Sequence, residues 1–187
     1  MLKGAPTEPV SADSGLTGTE LRLRAEDAED LAVISACVQD ALVAVRDLAY
    51  DRDARTFVLV TNRFRWEGCG SAAGDGATFE RTLCGIAFDM VEAVAYRGFQ
   101  RGEEDRILSL LAIQPVAGQP AGADLAGISS ANTMPNAAII DIEFAGGVTI
   151  RLSTSAIRVR ARDFGEPWPT AWRPAHSLDE PALDQPE

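Results

Sequence analysis

The stretch "IIDIEFAGGVTIRLS", residues 139–153, places two alternating runs of apolar side chains on either side of a glycine pair. Alternation with a period of two is typical of β-strands, and adjacent glycines are typical of a tight turn between them. If the loop held only Gly146 and Gly147, Ile142 would lie opposite Arg151, and an arginine would enter the apolar face. A two-residue loop is therefore disfavoured.

A three-residue loop, residues 145–147, removes this conflict because it pairs apolar side chains with one another. The predicted pairs are Phe144 with Val148, Ile142 with Ile150 and Ile140 with Leu152. Asp141 then lies opposite Arg151 as a favourable outer pair. A slip of one residue would invert every side chain, so the apolar pattern predicts this register, with Gly147 as the left-handed residue of the loop.

The segment "AEDAEDLAVISACVQDALVAV", residues 25–45, changes to helical spacing. It predicts one amphipathic helix near the N-terminus, because its apolar residues recur three and four positions apart. That stripe consists of Leu31, Ile34, Val38, Ala41, Leu42 and Val45. Four acidic residues crowd the first turn, where they complement the exposed N–H groups: Glu26, Asp27, Glu29 and Asp30. Cys37 lies beside the stripe and is interpreted as a small packing residue.

Most of the remaining chain predicts extended strands. The segments are residues 21–24, 46–51, 56–66, 82–90, 91–99, 106–114 and 157–162. The turn signal "DRDA", residues 51–54, predicts a hairpin between the second and third of these. A Gly/Pro/Ala/Asn-rich loop is expected at residues 115–136, and "GCGSAAGDG", residues 68–76, is interpreted as a hairpin loop rather than a phosphate-binding loop.

The strand "TFVLVTNRFRW", residues 56–66, interleaves arginines with aromatic side chains. Its alternation predicts one core face and one solvent face. The predicted core face holds Val58, Val60, Phe64 and Trp66, and the predicted solvent face holds Arg63 and Arg65. A nucleic-acid surface would display rings and arginines on the same side, so this pattern does not favour one.

These elements predict an α+β fold, with one N-terminal helix packed on a curved, mostly antiparallel sheet of seven to nine strands. The sheet could close partly into a barrel. Residues 1–19 are expected to be a disordered leader, and residues 20–165 a single domain. Residues 166–187 are expected to be a proline-rich acidic tail. Regular structure is not expected from residue 163 onward, although Trp168 and Trp172 could anchor the first part to the sheet.

The composition narrows the function classes. The chain has 187 residues and 46% hydrophobic residues, enough for one sizeable domain with a real core. Neither a secretory signal nor an apolar run of about 18 residues occurs, so we expect a cytoplasmic protein without a membrane span. An odd number of cysteines, three, agrees with a reducing compartment.

The charge of −11 lies mostly at the two ends of the chain. Residues 1–30 hold seven acids and three bases, a net of −4, and residues 163–187 hold six acids and one arginine, a net of −5. The body between them, with fifteen acids and thirteen arginines, is almost balanced at −2. Nucleic acid is therefore a disfavoured partner, because the summed acidity opposes the approach of phosphates.

No residue set points to a catalytic or metal site. Nucleophile–His–acid catalysis would depend on the one histidine, His176, and the cysteines at 37, 69 and 84 have no metal-ligand spacing. We therefore predict no catalytic, cofactor-binding or metal residue. Carboxylate clusters at residues 103–105 and at Asp51 and Asp53 fall in turns, where charge usually serves solvation. Cys69, between two glycines, is the most exposed-looking thiol.

Arginines on the non-core side of strands form the one candidate binding surface. The segment "IRVRAR", residues 157–162, alternates so that its arginines share a face. The candidate face for an anionic partner consists of Arg63, Arg65, Arg158, Arg160 and Arg162. These side chains could instead make cross-strand ion pairs, or the face could hold the protein's own acidic ends.

Four segments together resemble an uncharacterised bacterial family, domain of unknown function twenty-nine forty-eight, typical of alphaproteobacteria. They are "DAEDLAVISACVQDALV", "DLAYDRDARTFVLVTNRFRWE", "CGIAFDMVEAVAYRGF" and "IRVRARDFGEPWPTAW", and the resemblance covers roughly residues 20 to 178. It is most specific in "NRFRWE" and "GEPWP". The resemblance implies no activity, cofactor or functional residue.

Two hypotheses of function follow. The first is a non-enzymatic binding or accessory domain that docks a protein partner through a sheet surface with the arginine stripe. The second is a small ligand-binding protein or enzyme with a pocket lined by carboxylates and arginines. The sequence does not decide whether the chain forms homo-oligomers.

Overall fold

The computed structural model describes residues 20–67, 79–116 and 138–171, which form one α-helix and ten β-strands. In chain order they are β1 (Arg22–Ala25), α1 (Ala28–Cys37), β2 (Leu42–Ala44), β3 (Leu48–Asp51), β4 (Thr56–Phe64), β5 (Phe79–Phe88), β6 (Val91–Arg97), β7 (Ile107–Pro115), β8 (Ala138–Phe144), β9 (Val148–Thr154) and β10 (Val159–Thr170). No helix in these three ranges is long and apolar enough to cross a membrane.

All ten strands belong to one antiparallel sheet with the order β1-β10-β5-β4-β2-β7-β8-β9-β6, and β3 also pairs with β4. The sheet is not closed, since the edge strands β1 and β6 each pair with one neighbour among the described residues. The predicted α+β class with one helix is confirmed. The strand count is ten, above the predicted seven to nine, because the short strand β2 lies where a helix was predicted.

The hairpin of β8 and β9 has the predicted register. Phe144 pairs with Val148, Ile142 with Ile150, Ile140 with Leu152 and Asp141 with Arg151. The loop has three residues, and both glycines in it are left-handed, with φ of 76° at Gly146 and 74° at Gly147. The apolar pattern therefore predicted both the pairing and the loop length.

The helix α1 covers one side of the sheet, which we call the inner face, and it contacts β1 and β7. Leu31 and Ile34 are buried there, and the side-chain oxygen of Ser35 accepts a hydrogen bond of 2.8 Å from the backbone N–H of Ile113. Asp27 caps the N-terminus, with its Oδ1 accepting from the N–H of Asp30 at 2.9 Å. The helix is thus fixed at both its start and its apolar face.

The predicted helix extended too far, because α1 ends at Cys37. Asp40 has a φ of 58°, and its N–H donates to the carbonyl oxygen of Leu110. Leu42 then begins β2, which pairs with both β4 and β7. The backbone hydrogen bonds offered by these strands replace those of another helical turn.

The two sides of β4 were assigned wrongly. Its inner face holds Phe57, Leu59, Thr61 and Arg63, all completely buried. Val58, predicted to lie in the core, is 37% exposed on the opposite side, which we call the outer face. Both sides of the strand carry apolar residues at its start, so alternation alone does not choose between them.

The ordered sheet also extends into the segment where no regular structure was expected. Strand β10 continues to Thr170, and a register shift between Phe164 and Trp168 interrupts its pairing with β5. Gly165, with a φ of 76°, lies inside that bulge. Bulges admit the prolines that a regular ladder excludes. The expectations for residues 1–19, for most of 115–136, for 68–76 and for Trp172 fall outside the described residues.

Candidate functional site

An arginine ladder occupies the outer face where β1 pairs with β10. Arg22 lies opposite Arg162, and Arg24 lies opposite Arg160. All four side chains are exposed, as is Arg158 just before β10. We call these five residues the arginine face. The predicted alternation of "IRVRAR" is confirmed, because Val159 and Ala161 are buried on the inner side.

Directly opposed like charges destabilise an antiparallel pair, so this ladder has an energetic cost. One of its arginines is relieved: Asp89 accepts from Arg160 Nε at 3.1 Å and from Arg160 Nη2 at 3.0 Å. In the three described ranges, no acidic partner is found for the other four, namely Arg22, Arg24, Arg158 and Arg162. Their fork-shaped donors remain available to an external carboxylate or phosphate.

Small and apolar residues continue the arginine rows across the outer face. Arg162 pairs with Gly85, which pairs with Val60 on β4. The ring of Phe164, itself 41% exposed, packs over Gly85, where an added Cβ would be in van der Waals contact with it at 3.5 Å. An exposed cationic edge thus borders a shallow apolar floor, a combination typical of the centre and margin of protein interfaces.

A cleft of about 370 Å³ opens at the end of the ladder. Its lining residues are Arg24, Ala25, Glu26, Asp89, Arg158, Val159 and Arg160. The charged groups number three arginines and two carboxylates, so the cleft is cationic by one unit. It has the size of a small-ligand site and the charge for an anion.

Arg63 was predicted to face solvent as part of the partner face, and this prediction is wrong. Its side chain is 0% exposed and lies on the inner face. Each of its five N–H donors has an acceptor within the protein: Asp163 Oδ1 at 2.8 Å, Asp163 Oδ2 at 2.6 Å, Glu67 Oε1 at 2.6 Å, Glu67 Oε2 at 3.1 Å and the Phe64 carbonyl oxygen at 3.2 Å. With all donors used, Arg63 has no capacity left for a ligand.

The charge of Arg63 lowers the pKa values of its two carboxylate partners, Asp163 and Glu67. Burial would raise the pKa of the Asp163 carboxyl, but the hydrogen bonds from Arg63 and from the Leu21 N–H, with the charge of Arg63, lower it below its usual value. Glu67 behaves alike: burial opposes ionisation, and Arg63 lowers its pKa. Both carboxylates are therefore held in the ionised form by a structural ion-pair network.

Arg65 also leaves the predicted partner face. Its side chain is almost completely buried, and its Nη1 donates to Glu80 Oε2 at 2.6 Å. Phe64 was predicted to lie in the core, and it is buried. It lies on the side opposite to Arg63, beneath the rings of Trp66 and Phe79. Both sides of β4 are thus covered at its end, which is why two buried arginines alternate with two packed rings.

The carboxylate clusters singled out in the sequence form ion pairs and a turn among the described residues. Glu103 Oε2 accepts from Arg106 at 2.8 Å, and Asp105 Oδ1 accepts from Arg46 at 2.9 Å, both as exposed ion pairs. Asp51 accepts from the N–H of Ala54 and closes the predicted turn. In the described ranges, no group of three or more His, Cys, Asp or Glu residues is placed to hold a metal ion.

The thiols that the structure describes are unreactive in character. Burial raises the pKa of Cys84 to about 12, with the nearby Asp163 charge adding to the effect. Burial likewise raises the pKa of Cys37. Since the thiolate is the nucleophile, neither has the properties of a catalytic cysteine. Cys69 and His176 lie outside the described residues.

Sequence reasoning missed three residues of this site: Arg22, Arg24 and Asp89. The signal for the first two was present in "LRLR", residues 21–24, which alternates in the same way as "IRVRAR". Nothing in either segment shows that they are neighbours, because β1 and β10 lie at opposite ends of the chain. Asp89 follows β5, and only the fold brings it to Arg160.

The family model described as "Protein of unknown function (DUF2948)" matches residues 21–176. Because the match covers most of the chain, this protein belongs to that family. A search of the curated proteins finds no match, and a search of the solved structures finds none either. The family description assigns no activity, so function has to be argued from the site.

Proposed function

We propose that this domain is a binding module that docks an acidic segment of a partner protein on the arginine face. The observation that supports this is the unrelieved like-charge ladder, in which Arg22 opposes Arg162 and neither has an acidic partner among the described residues. A sheet edge with this arrangement is stabilised when carboxylates arrive. The proposal therefore gives a purpose to a feature that otherwise only costs stability.

Charge complementarity favours this partner chemistry. The five arginines of the face outnumber the two nearby carboxylates, Glu26 and Asp89, leaving a local net charge of 5 − 2 = +3 in a chain of net charge −11. A local field of this kind steers acidic segments to the face and orients them. The apolar floor beside it, with Phe164 and Val60, can hold neighbouring apolar side chains of the same segment.

The cleft supports a second candidate function, the binding of a small anion. Arg24, Arg158 and Arg160 converge on a volume of about 370 Å³, enough for a small metabolite with carboxylate or phosphate groups. This site lies at one end of the ladder, whereas the acidic-segment surface extends along it. Arg24, Arg158 and Arg160 belong to both surfaces, whereas Arg22 and Arg162 belong to the acidic-segment surface alone.

Fluorescence polarisation with a labelled octaglutamate peptide tests the first candidate. We expect the variant Arg22→Glu/Arg162→Glu to reduce affinity at least tenfold, because two attractive charges become repulsive. A matched control, Arg52→Glu/Arg101→Glu, makes the same change in net charge away from the face and should lose much less. Equal losses in both variants would mean that only net charge matters, and would contradict the proposal.

Two further probes separate the alternatives. Calorimetry with citrate and with tripolyphosphate tests the cleft, where Arg158→Gln should abolish binding and Arg22→Gln should not. A single-stranded RNA of matched charge tests nucleic acid. Tighter binding of the RNA than of octaglutamate at physiological salt would overturn the assignment to an acidic protein segment.

A further inference from the structure

We propose that the acidic stretch after β10, residues 172–187, covers the arginine face of its own molecule until a partner displaces it. This inference rests on the proposed function, since it names what occupies the same surface in the free protein. The stretch carries four acids, Asp179, Glu180, Asp184 and Glu187, against one arginine, Arg173, for a net of −3. That value balances the local +3 of the face.

The stretch after Thr170 is long enough to return along β10 to the arginines. From Arg162 to Thr170, the end of β10, there are eight residues, and from Thr170 to Asp179 there are nine. Because of the bulge, β10 advances from Arg162 to Thr170 only as far as β5 does between Gly85 and Phe79, six residues or about 20 Å, whereas nine extended residues reach about 30 Å and leave about three residues for a turn. A chain that turns back after Thr170 therefore brings Asp179 and Glu180 level with Arg162 and Arg160.

The remaining acids can reach the cleft end of the ladder. Arg158 precedes Val159, and β10 advances from Val159 to Thr170 as far as β5 does between Phe88 and Phe79, nine residues or about 30 Å, while Asp184 follows Thr170 by fourteen residues. The stretch is therefore long enough for its acids to reach both ends of the ladder. The N-terminal stretch fits less well, because residues 1–19 hold only Glu8 and Asp13 against Lys3, a net of −1.

Proline content favours contact through side chains on the face over extension of the sheet. The stretch contains Pro174, Pro181 and Pro186, and proline has no N–H to donate to a strand ladder. A carboxylate bound to a guanidinium group needs no backbone donor. Occupation of the arginine face is therefore the contact that this composition permits.

Tethering makes weak ion pairs sufficient. A segment joined to its site by a short linker acts at an effective concentration in the millimolar range. An external acidic segment must compete with it, so the affinity measured for a partner is reduced by the fraction of molecules in which the face is covered. Partners that also use the apolar floor have an advantage over the tail, whose acidic half offers only Leu178 and Leu183 as large apolar side chains.

The test uses the full chain and four variants with the labelled octaglutamate peptide as probe. Neutralising the tail, Asp179→Asn/Glu180→Gln/Asp184→Asn/Glu187→Gln, should tighten probe binding about fivefold or more, because the competing segment loses its charge. The control Glu8→Gln/Asp13→Asn should leave affinity within twofold of wild type. Adding Arg22→Glu/Arg162→Glu to the neutralised chain should remove the gain, and the same pair in the wild-type chain provides the reference.

The outcomes distinguish the two proposals. If tail neutralisation leaves the affinity unchanged while the arginine variant still loses binding, the tail does not cover the face and the proposed function survives. If the probe binds neither the wild-type nor the neutralised chain, the proposed function fails. Independently of any probe, NMR should show shifts of the Arg22, Arg160 and Arg162 Nε–H signals on neutralisation; unchanged signals would overturn the covering tail.

Discussion

Arg63 and Asp163 are separated by 100 residues in sequence and joined by two hydrogen bonds of 2.8 and 2.6 Å. They lie on β4 and β10, and β5 passes between those strands with Cys84 opposite Asp163. The pair thus clamps three strands from the inner face. It is an ion pair with side chains exposed by 0% and 4%, and it is extended outward by Glu67.

We expect Asp163→Asn to lower the free energy of unfolding by about 3–5 kcal/mol, because it leaves the buried Arg63 charge without its main acceptor. Urea denaturation at pH 7 measures this. The exposed partner of Arg46, Asp105, supplies the matched control: Asp105→Asn should change stability little. The double variant Arg63→Met/Asp163→Leu should lose less than the sum of its single variants. Additive losses would contradict the coupling.

The same network sets the acid limit of stability. The pKa of Asp163 and that of Glu67 are lowered in the folded protein relative to unfolded values of about 3.9 and 4.3. A lowered folded pKa contributes stability that is complete above the unfolded pKa and is lost as pH falls through the folded one. Urea midpoints should therefore change little through these groups from pH 7 to 5 and fall below about pH 4. Asp163→Asn should show a shallower decline, and an equal decline would exclude the network as the cause.

What the sequence could predict was local. The β8–β9 register follows from apolar alternation around a short loop, and both are contained within residues 139–153. The end of α1 does not follow from the local pattern, because Asp40 and Leu42 obtain their hydrogen bonds from β7, about seventy residues later. The helical periodicity of the sequence continues beyond Cys37, although the chain there pairs with β7 instead.

The predictions for the arginines also succeeded where local alternation decides exposure and failed where a distant partner decides it. For Arg158, Arg160 and Arg162, alternation correctly separated exposed from buried side chains. For Arg63 it failed, because the strand carries apolar residues on both sides and the carboxylate that allows burial is Asp163. Burial of a charge depends on a partner that single-strand patterns do not reveal. The ladder of β1 against β10 was hidden for the same reason, since strand order is a property of the whole sheet.

A glycine contrast tests the packing between β6 and the β8–β9 loop. Gly98 and Gly146 have similar φ values, 84° and 76°, but a Cβ on Gly98 would lie 3.1 Å from Val148 Cα, whereas nothing lies near one on Gly146. We expect Gly146→Ala to cost about 1 kcal/mol, from backbone strain alone. Gly98→Ala should cost about 2–3 kcal/mol, because a backbone neighbour cannot rotate away. Thermal unfolding of both variants checks this, and equal losses would show that the close contact relaxes freely.

The arginine ladder predicts opposite effects on stability and binding from one substitution. In the chain with the neutralised tail, Arg22→Glu turns the pair with Arg162 from repulsive to attractive and should raise the free energy of unfolding by about 0.2–1 kcal/mol. The same change should weaken binding of the octaglutamate probe severalfold, because a donor to carboxylates is replaced by a competing acid. Arg22→Gln should fall between the two in both measurements. If Arg22→Glu lowers stability, the ladder carries no repulsion; if stability rises but binding is unchanged, the repulsion serves another purpose, such as preventing β1 from pairing edge to edge with a second sheet.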